Sequence, residues 1–230
     1  MNNYSAQNAS LFAFVRFHTL RNYKLLHLYL YKYHLIICMK KELILEIIQE
    51  RWSPYSFSSI PVEEFKLKAM FEAASYAPSC NNEQPWLFVY TTQDEKEVFN
   101  DYIGFMTDGN KVWAKNAYAL VISMARSRFS HSGRPNRHSF HDTGMAVTNL
   151  LLQATALDVY VHQMAGYSVD KVKEYFRLSD DIEPVAMMAV GYLGDGTSLS
   201  PELLSRDEKR RPRKSIKEFV FKNSFANQAF

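Results

Sequence analysis

"SYAPSCNNEQPWLFVYTT", residues 75–92, packs a helix stop, a polar turn and the start of a strand into eighteen residues. Pro78 cannot continue a helix, because it lacks an N–H and its ring clashes with the preceding turn. Ser79, Cys80, Asn82 and Gln84 then bring hydroxyl, thiol and amide groups but almost nothing to bury. Pro85 and Trp86 fix the end of the loop, and "LFVYTT" has the aromatic and β-branched content of a strand. Amides and free backbone N–H groups in such a loop suit the edge of a flat heterocycle that alternates donors and acceptors.

Working outward, "VEEFKLKAMFEAASY" (62–76) predicts an amphipathic helix with Phe65, Ala69, Ala73 and Tyr76 on one stripe and acids in its first turn. Before it, "KELILEIIQE" has helical spacing, and "RWSPYSFSSIP" reads as an extended loop. After it, "DEKEVFNDYI" (94–103) predicts a helix, and "AYALVISMA" (117–125) a strand buried on both faces. "RSRFSHSGRPNRHSF" is a polar loop leading into a long central helix over 139–157. "VYVHQM" reads as a strand, "SVDKVKEYF" as a short capped helix and "EPVAMMAVGYLG" as a strand ending in glycines. The tail reads as a loop, a basic cluster "RDEKRRPRK" and a short helical "SIKEFVF". Helices and strands alternate without repeats, so the fold is α/β or α+β around one central sheet.

Hydrophobic residues make up 47% of the 230 and charged ones 22%, enough to build a real core. Residues 1–38 hold Arg16, Arg21, Lys24 and Lys32 with no acid, so +4 of the net +3 sits there and the rest sums to −1. That balance argues against a nucleic-acid partner. The apolar run "LHLYLYKYHLII" is too short and interrupted to span a bilayer, and it lacks the cleavage pattern of a secretory signal. The folded domain is expected over 39–230, with 1–38 a poorly structured extension or a start assigned too far upstream. Two cysteines, Cys38 and Cys80, give no disulfide framework and favour a reducing, cytoplasmic setting.

His138, His141 and Asp142 cluster in "RHSFHD", but the spacing has no zinc-enzyme pattern and reads better as a polar helix start; no metal is expected. No Gly-rich phosphate loop and no nucleophile elbow is present. Three polar islands remain: Arg51 with Ser53; Pro78 to Gln84; and Arg211 with Arg213, two apart on an extended chain. Guanidiniums with a hydroxyl suit a phosphate monoester. "QMAG" adds a small-residue turn where backbone can approach a ring.

These islands resemble the nitroreductase family of FMN-dependent oxidoreductases. "RWSPYSF" followed by a helix and "APSCNNEQPW" is similar to the family's opening. "HDTGMAVTNLLLQATALDVYVHQMAGYSVDKVKEYFRLSDDIEPVAMMAVGYLGD" resembles its second half, and "RPRKSIKEFV" its basic closing signature. The resemblance runs in order from about Arg51 to Val220. It implies an α+β fold with a central, mostly antiparallel sheet flanked by helices, in an obligate homodimer that exchanges C-terminal tails and holds FMN at its interface. Arg51, Ser53, Arg211 and Arg213 would meet the phosphate and ribityl chain. Pro78, Ser79, Cys80 and Asn82 of the other subunit would face the isoalloxazine, and Met164, Ala165 and Gly166 would lie near the ring as backbone. Asn110 and Lys111 would touch its pyrimidine side. Trp52 and Tyr55 stand where basic residues are common, and Cys80 where a hydroxyl is usual.

The implied activity is ping-pong transfer of hydride from NADH or NADPH through the flavin to a quinone, nitroaromatic or similar small acceptor. Such chemistry needs no side-chain acid or base, so no catalytic residue is assigned. The alternatives are a specialised member, such as a dehalogenase or flavin-fragmenting enzyme, and a non-catalytic flavin-binding protein.

Overall fold

The computed structural model describes residues 43–229. The expectation for residues 1–38 therefore lies outside the described residues. The chain divides into two units, Met1–Gln49 and Glu50–Phe230. Of the first, the described part is the start of a short helix α1 (Glu46–Glu50), in which Ile48 N–H donates to Leu45 C=O at 2.9 Å.

The second unit is built on four strands: β1 (Trp86–Thr92), β2 (Ala119–Arg126), β3 (Tyr160–Met164) and β4 (Ile182–Gly191). They lie in the order β1-β2-β4-β3, and every pairing is antiparallel. The α+β expectation with an antiparallel sheet holds. β2 is buried along nearly its whole length because it is central and covered on both faces. Its side chains alternate, as the period of a strand requires. Ala119 and Val121 join one core cluster, and Leu120, Ile122 and Met124 join the other.

The first cluster is closed by α2 (Glu64–Ala74) and α5 (Ser139–Ala156), through Leu67, Met70, Ala74, Ala146, Val147 and Leu150. The second is closed by α3 (Lys96–Phe105), α4 (Asp108–Ala114) and α6 (Val169–Phe176), through Phe99, Tyr102, Phe105, Trp113 and Val172. Pro184 sits inside β4, and the register with β2 shifts between Ser123 and Met124, opposite it. A proline has no N–H for the ladder, which is a physical reason for the irregularity.

The structure corrects the sequence reading at α2 and at residues 216–218, and adds two helices that it left unread. On α2 the core-facing residues are Leu67, Met70 and Ala74, whereas Phe65 is 65% and Tyr76 82% exposed. The helix carries two apolar stripes, and the sequence reading chose the outward one. "DGNKVWA" forms α4, which was not anticipated; Trp113 and Ala114 on its inner face are buried. The tail is not all loop. Ser200 caps α7 (Pro201–Glu208), its Oγ accepting from Leu203 N–H, with Pro201 in the first turn. That Ser-Pro pair is a helix-start signal which went unread. "SIKEFVF" forms only a 3₁₀ turn, Ile216–Glu218. No helix among the described residues is long and apolar enough to cross a membrane.

Candidate functional site

The site residues fall into two groups on opposite edges of the sheet. The first packs on β3. His162 donates its Nδ1–H to Pro54 C=O at 2.8 Å, and its ring packs against both Tyr55 (4.7 Å) and Trp113 (4.5 Å), which touch each other at 5.1 Å. Trp52 packs edge-on against Tyr160 at 6.1 Å. Asp207 of α7 closes the same segment, its carboxylate accepting from Tyr55 N–H at 2.8 Å and Ser56 N–H at 3.0 Å. These contacts fix the Arg51–Ser53 limb, where Arg51 Nη1 donates to Ser53 Oγ at 3.3 Å.

The charge on this limb is unbalanced. Arg51 forms no ion pair among the described residues. Burial, and next the like charge of Arg213, pull its pKa below the ordinary guanidinium value. Arg210 lies over the Trp52 ring at 4.3 Å. Ser53 thus lies within hydrogen-bond reach of Arg51, the charge of Arg213 acts on Arg51, and Arg210, which the sequence reading missed, stands over Trp52. Arg210 restores a cation beside the position where Trp52 stands in place of a basic residue. No local signal marked it, because the indole it stacks on lies far away in the sequence and only the fold brings the two together. Arg211 is exposed and has no hydrogen-bond or ion-pair partner among the described residues.

The turn after β3 continues this group. Met164 is buried in the core, so only its backbone is offered outward. Gly166 C=O accepts three hydrogen bonds: from Thr107 N–H (2.9 Å), Thr107 Oγ1 (3.1 Å) and Asn110 Nδ2 (3.0 Å). A Cβ at Gly166 would meet Asn110 Nδ2 at 2.6 Å and Thr107 Oγ1 at 2.7 Å, so any side chain there must displace the two groups that hold the Gly166 carbonyl. Gly166 N–H donates to no acceptor among the described residues. Lys111 is instead engaged with Asp108 at 2.9 Å, within α4.

The second group enters β1, the other edge strand. Asn81, Asn82 and Gln84 all have φ between 53° and 55°, three left-handed residues within four. Each such conformation costs on the order of 1 kcal/mol for a non-glycine residue and persists only where surroundings impose it. Here Asp142, 2% exposed at the start of α5, imposes it by accepting from Cys80 N–H at 2.9 Å. Ser79 Oγ accepts from Gln84 N–H at 3.0 Å. Asp142, weighed in the sequence as part of a metal cluster, is thus the clamp of the loop. Asn82 and Pro78 are left exposed.

The chain matches the nitroreductase family over residues 48–114 and 104–192. It belongs to the nitroreductase family. Among solved structures it resembles an oxidoreductase containing FMN, at 30% identity and a TM-score of 0.76, over 80% of this chain and 93% of that one. It is 28% identical over 131 residues to a 15.4 kDa protein of Mycolicibacterium smegmatis, covering 57% of this chain and 86% of the other. It is 25% identical over 155 residues to an Archaeoglobus fulgidus protein provisionally named an NADH dehydrogenase/NAD(P)H nitroreductase, covering 66% and 86%. The family match stops at residue 192, and beyond it the contacts of Asp207 in α7 with Tyr55 and Ser56 and of Arg210 with Trp52 connect the C-terminal region to the site.

Proposed function

We propose that this nitroreductase-family chain is an FMN-dependent oxidoreductase that works as a homodimer and passes electrons from NADH or NADPH to a small quinone, nitroaromatic or similar acceptor. The observation that carries this reading is the Arg51–Ser53–Arg213 cluster. Burial first, and next the like charge of Arg213, disfavour the Arg51 guanidinium in the free protein, and a phosphate monoester held there with Ser53 would relieve both. The residues present fit FMN on a second count. Gly166 offers an unpaired N–H on a backbone too tightly held for a side chain, as a ring lying flat against it requires.

When bound, FMN supplies hydride chemistry between a nicotinamide donor and an oxidised acceptor. Arg51, Ser53, Arg213 and Arg210, with Arg211 alongside, would hold the phosphate end. Thr107 and Asn110 fix the Gly166 carbonyl and so set the direction of its N–H. The Pro78–Asn82 loop, with Ser79 and Cys80, would present amides and backbone to the rim of the ring.

The sheet supports the proposal of a second copy. β1 and β3 stand three strand spacings apart, about 14 Å, with β2 and β4 between them. The two groups of residues therefore lie on opposite edges of one chain, and the loop of one copy would complete the site of the other. Exposed apolar residues support the same reading: Phe65 on α2, Tyr76 just after it, Phe140 on α5 at 50%, and Phe219 at 61% and Phe225 at 90% in the tail that would cross to the partner. Tests are direct. Purified protein should show flavin absorbance, sediment as a dimer, and oxidise NADH or NADPH when a quinone or nitroaromatic is added. A monomer that stays colourless in excess FMN rules the proposal out, and a yellow dimer without turnover reduces it to flavin binding.

A further inference from the structure

The segment joining β2 to α5 is strongly one-sided in charge. From Arg126 to His141 it holds four arginines and three histidines with no acid. It is a built hairpin: Arg128 bridges Pro135, Phe129 N–H donates to Arg134 C=O at 2.9 Å, and Gly133, at φ +65°, makes the tip. Three bonds fix its direction. Arg126 N–H donates to Pro85 C=O (2.8 Å), Ser127 N–H to Asp181 C=O (2.7 Å) and Ser130 N–H to Glu83 Oε1 (2.7 Å). Pro85 and Glu83 belong to the loop proposed to meet the flavin rim, so the hairpin is tied to that loop and projects beyond it, with residues 130–135 all exposed.

Its charges divide sharply. Arg126 pairs with Asp181 at 2.7 Å, and His131 faces Glu83 at 3.7 Å. Arg128, Arg134 and Arg137 are exposed and form no ion pair among the described residues; Arg128 Nη1 caps Gly133 C=O at 3.0 Å. Arg128 and Arg134 on the hairpin and Arg137 just after it are three exposed guanidiniums without a carboxylate partner, and such chemistry suits a phosphate monoester carrying close to two negative charges. Beside the proposed flavin loop, the ligand bearing such a group is the electron donor itself, whose adenosine half extends away from the ring its nicotinamide must touch.

We propose that Arg128, Arg134 and Arg137 form the docking site for the adenosine 2′-phosphate of the donor and make the protein select NADPH over NADH. The inference rests on the flavin-oxidoreductase reading, and its test does not. Adenosine 2′,5′-bisphosphate and AMP, which differ by that one phosphate, are titrated calorimetrically into the full-length protein at low and moderate salt. The bisphosphate binds at least tenfold tighter at low salt, and the gap narrows as salt screens these exposed charges. Changing Arg128, Arg134 and Arg137 together to Gln abolishes the gap, and Arg134→Gln or Arg137→Gln alone narrows it. In turnover, the triple change raises KM for NADPH about tenfold or more with little effect on kcat or on FMN affinity. Equal binding of the two nucleotides by the unaltered protein, or a preference that survives the triple change, overturns the proposal. Nucleotide discrimination by a protein that does not bind FMN would leave this site standing and sink the flavin reading instead.

Discussion

Gly166→Ala tests whether the turn after β3 is as tightly built as its distances state. The added methyl would sit 2.6 Å from Asn110 Nδ2 and 2.7 Å from Thr107 Oγ1, both too close for any real Cβ contact. Neither atom can hold its place, and both donate to the Gly166 carbonyl, at 3.0 and 3.1 Å. Losing two ordinary side-chain hydrogen bonds costs roughly 1–3 kcal/mol in total. The Thr107 N–H bond to the same carbonyl, at 2.9 Å, is backbone and limits how far the turn can drift. For a domain of this size the loss corresponds to a melting-point drop of about 2–4 °C for each kcal/mol. A double-mutant cycle isolates the cause. With Asn110→Ala the tighter clash disappears, so Gly166→Ala should cost about 1 kcal/mol less in that background than in the native one. Denaturant unfolding of the four proteins measures it. A Gly166→Ala cost under about 0.5 kcal/mol, or strictly additive changes, refutes the close-packing account of this turn.

Arg213→Ala should move two quantities in different directions. FMN affinity falls about 10- to 100-fold, since one charge-assisted phosphate contact of roughly 1.5–3 kcal/mol is lost. The flavin-free protein is no less stable, because the change removes the like charge next to Arg51; a fluorescence titration of FMN that matches the unaltered protein would refute the assignment. Asp142→Asn keeps an acceptor but discards the buried charge that holds Cys80 N–H at 2.9 Å, so amide exchange across residues 78–84 should speed up; unchanged protection there would clear Asp142 of the clamp role. His162 supplies a pH dependence. Burial, the leading cause, lowers its folded pKa below its ordinary value near 6.5, so the unfolded chain binds the proton first and stability falls as pH drops below that value. The slope from this residue is at most about 1.4 kcal/mol per pH unit, and it should vanish in His162→Gln; identical pH profiles for the two proteins would count against it.

How much was legible in advance differs by residue. The free-standing signals concern single elements: Pro78 and Trp86 bracketing a loop, the near-continuous apolar run that became β2, and the long apolar helix that became α5. The choice between the two apolar stripes of α2 was not legible. Both stripes have helical spacing, and only the position of α5 and the sheet decides that Leu67, Met70 and Ala74 turn inward. Asp142 was visible as a polar residue near two histidines, but its partner is the backbone of Cys80, 62 positions earlier, which no local pattern reports.

The sequence by itself determined the alternation of helices and strands, the polar loop after Pro78 and the arginines at either end of the domain. Those follow from periodicity, ring sterics and side-chain chemistry, which act over a few residues. Only the tertiary structure decided that the charge of Arg213 acts on Arg51, that Arg210 lies on Trp52, that Asp207 holds Tyr55 and Ser56, and that β1 and β3 are opposite edges. Contacts across more than 150 positions are set by how the sheet faces are covered, a property of the whole packed chain that no short window of residues contains.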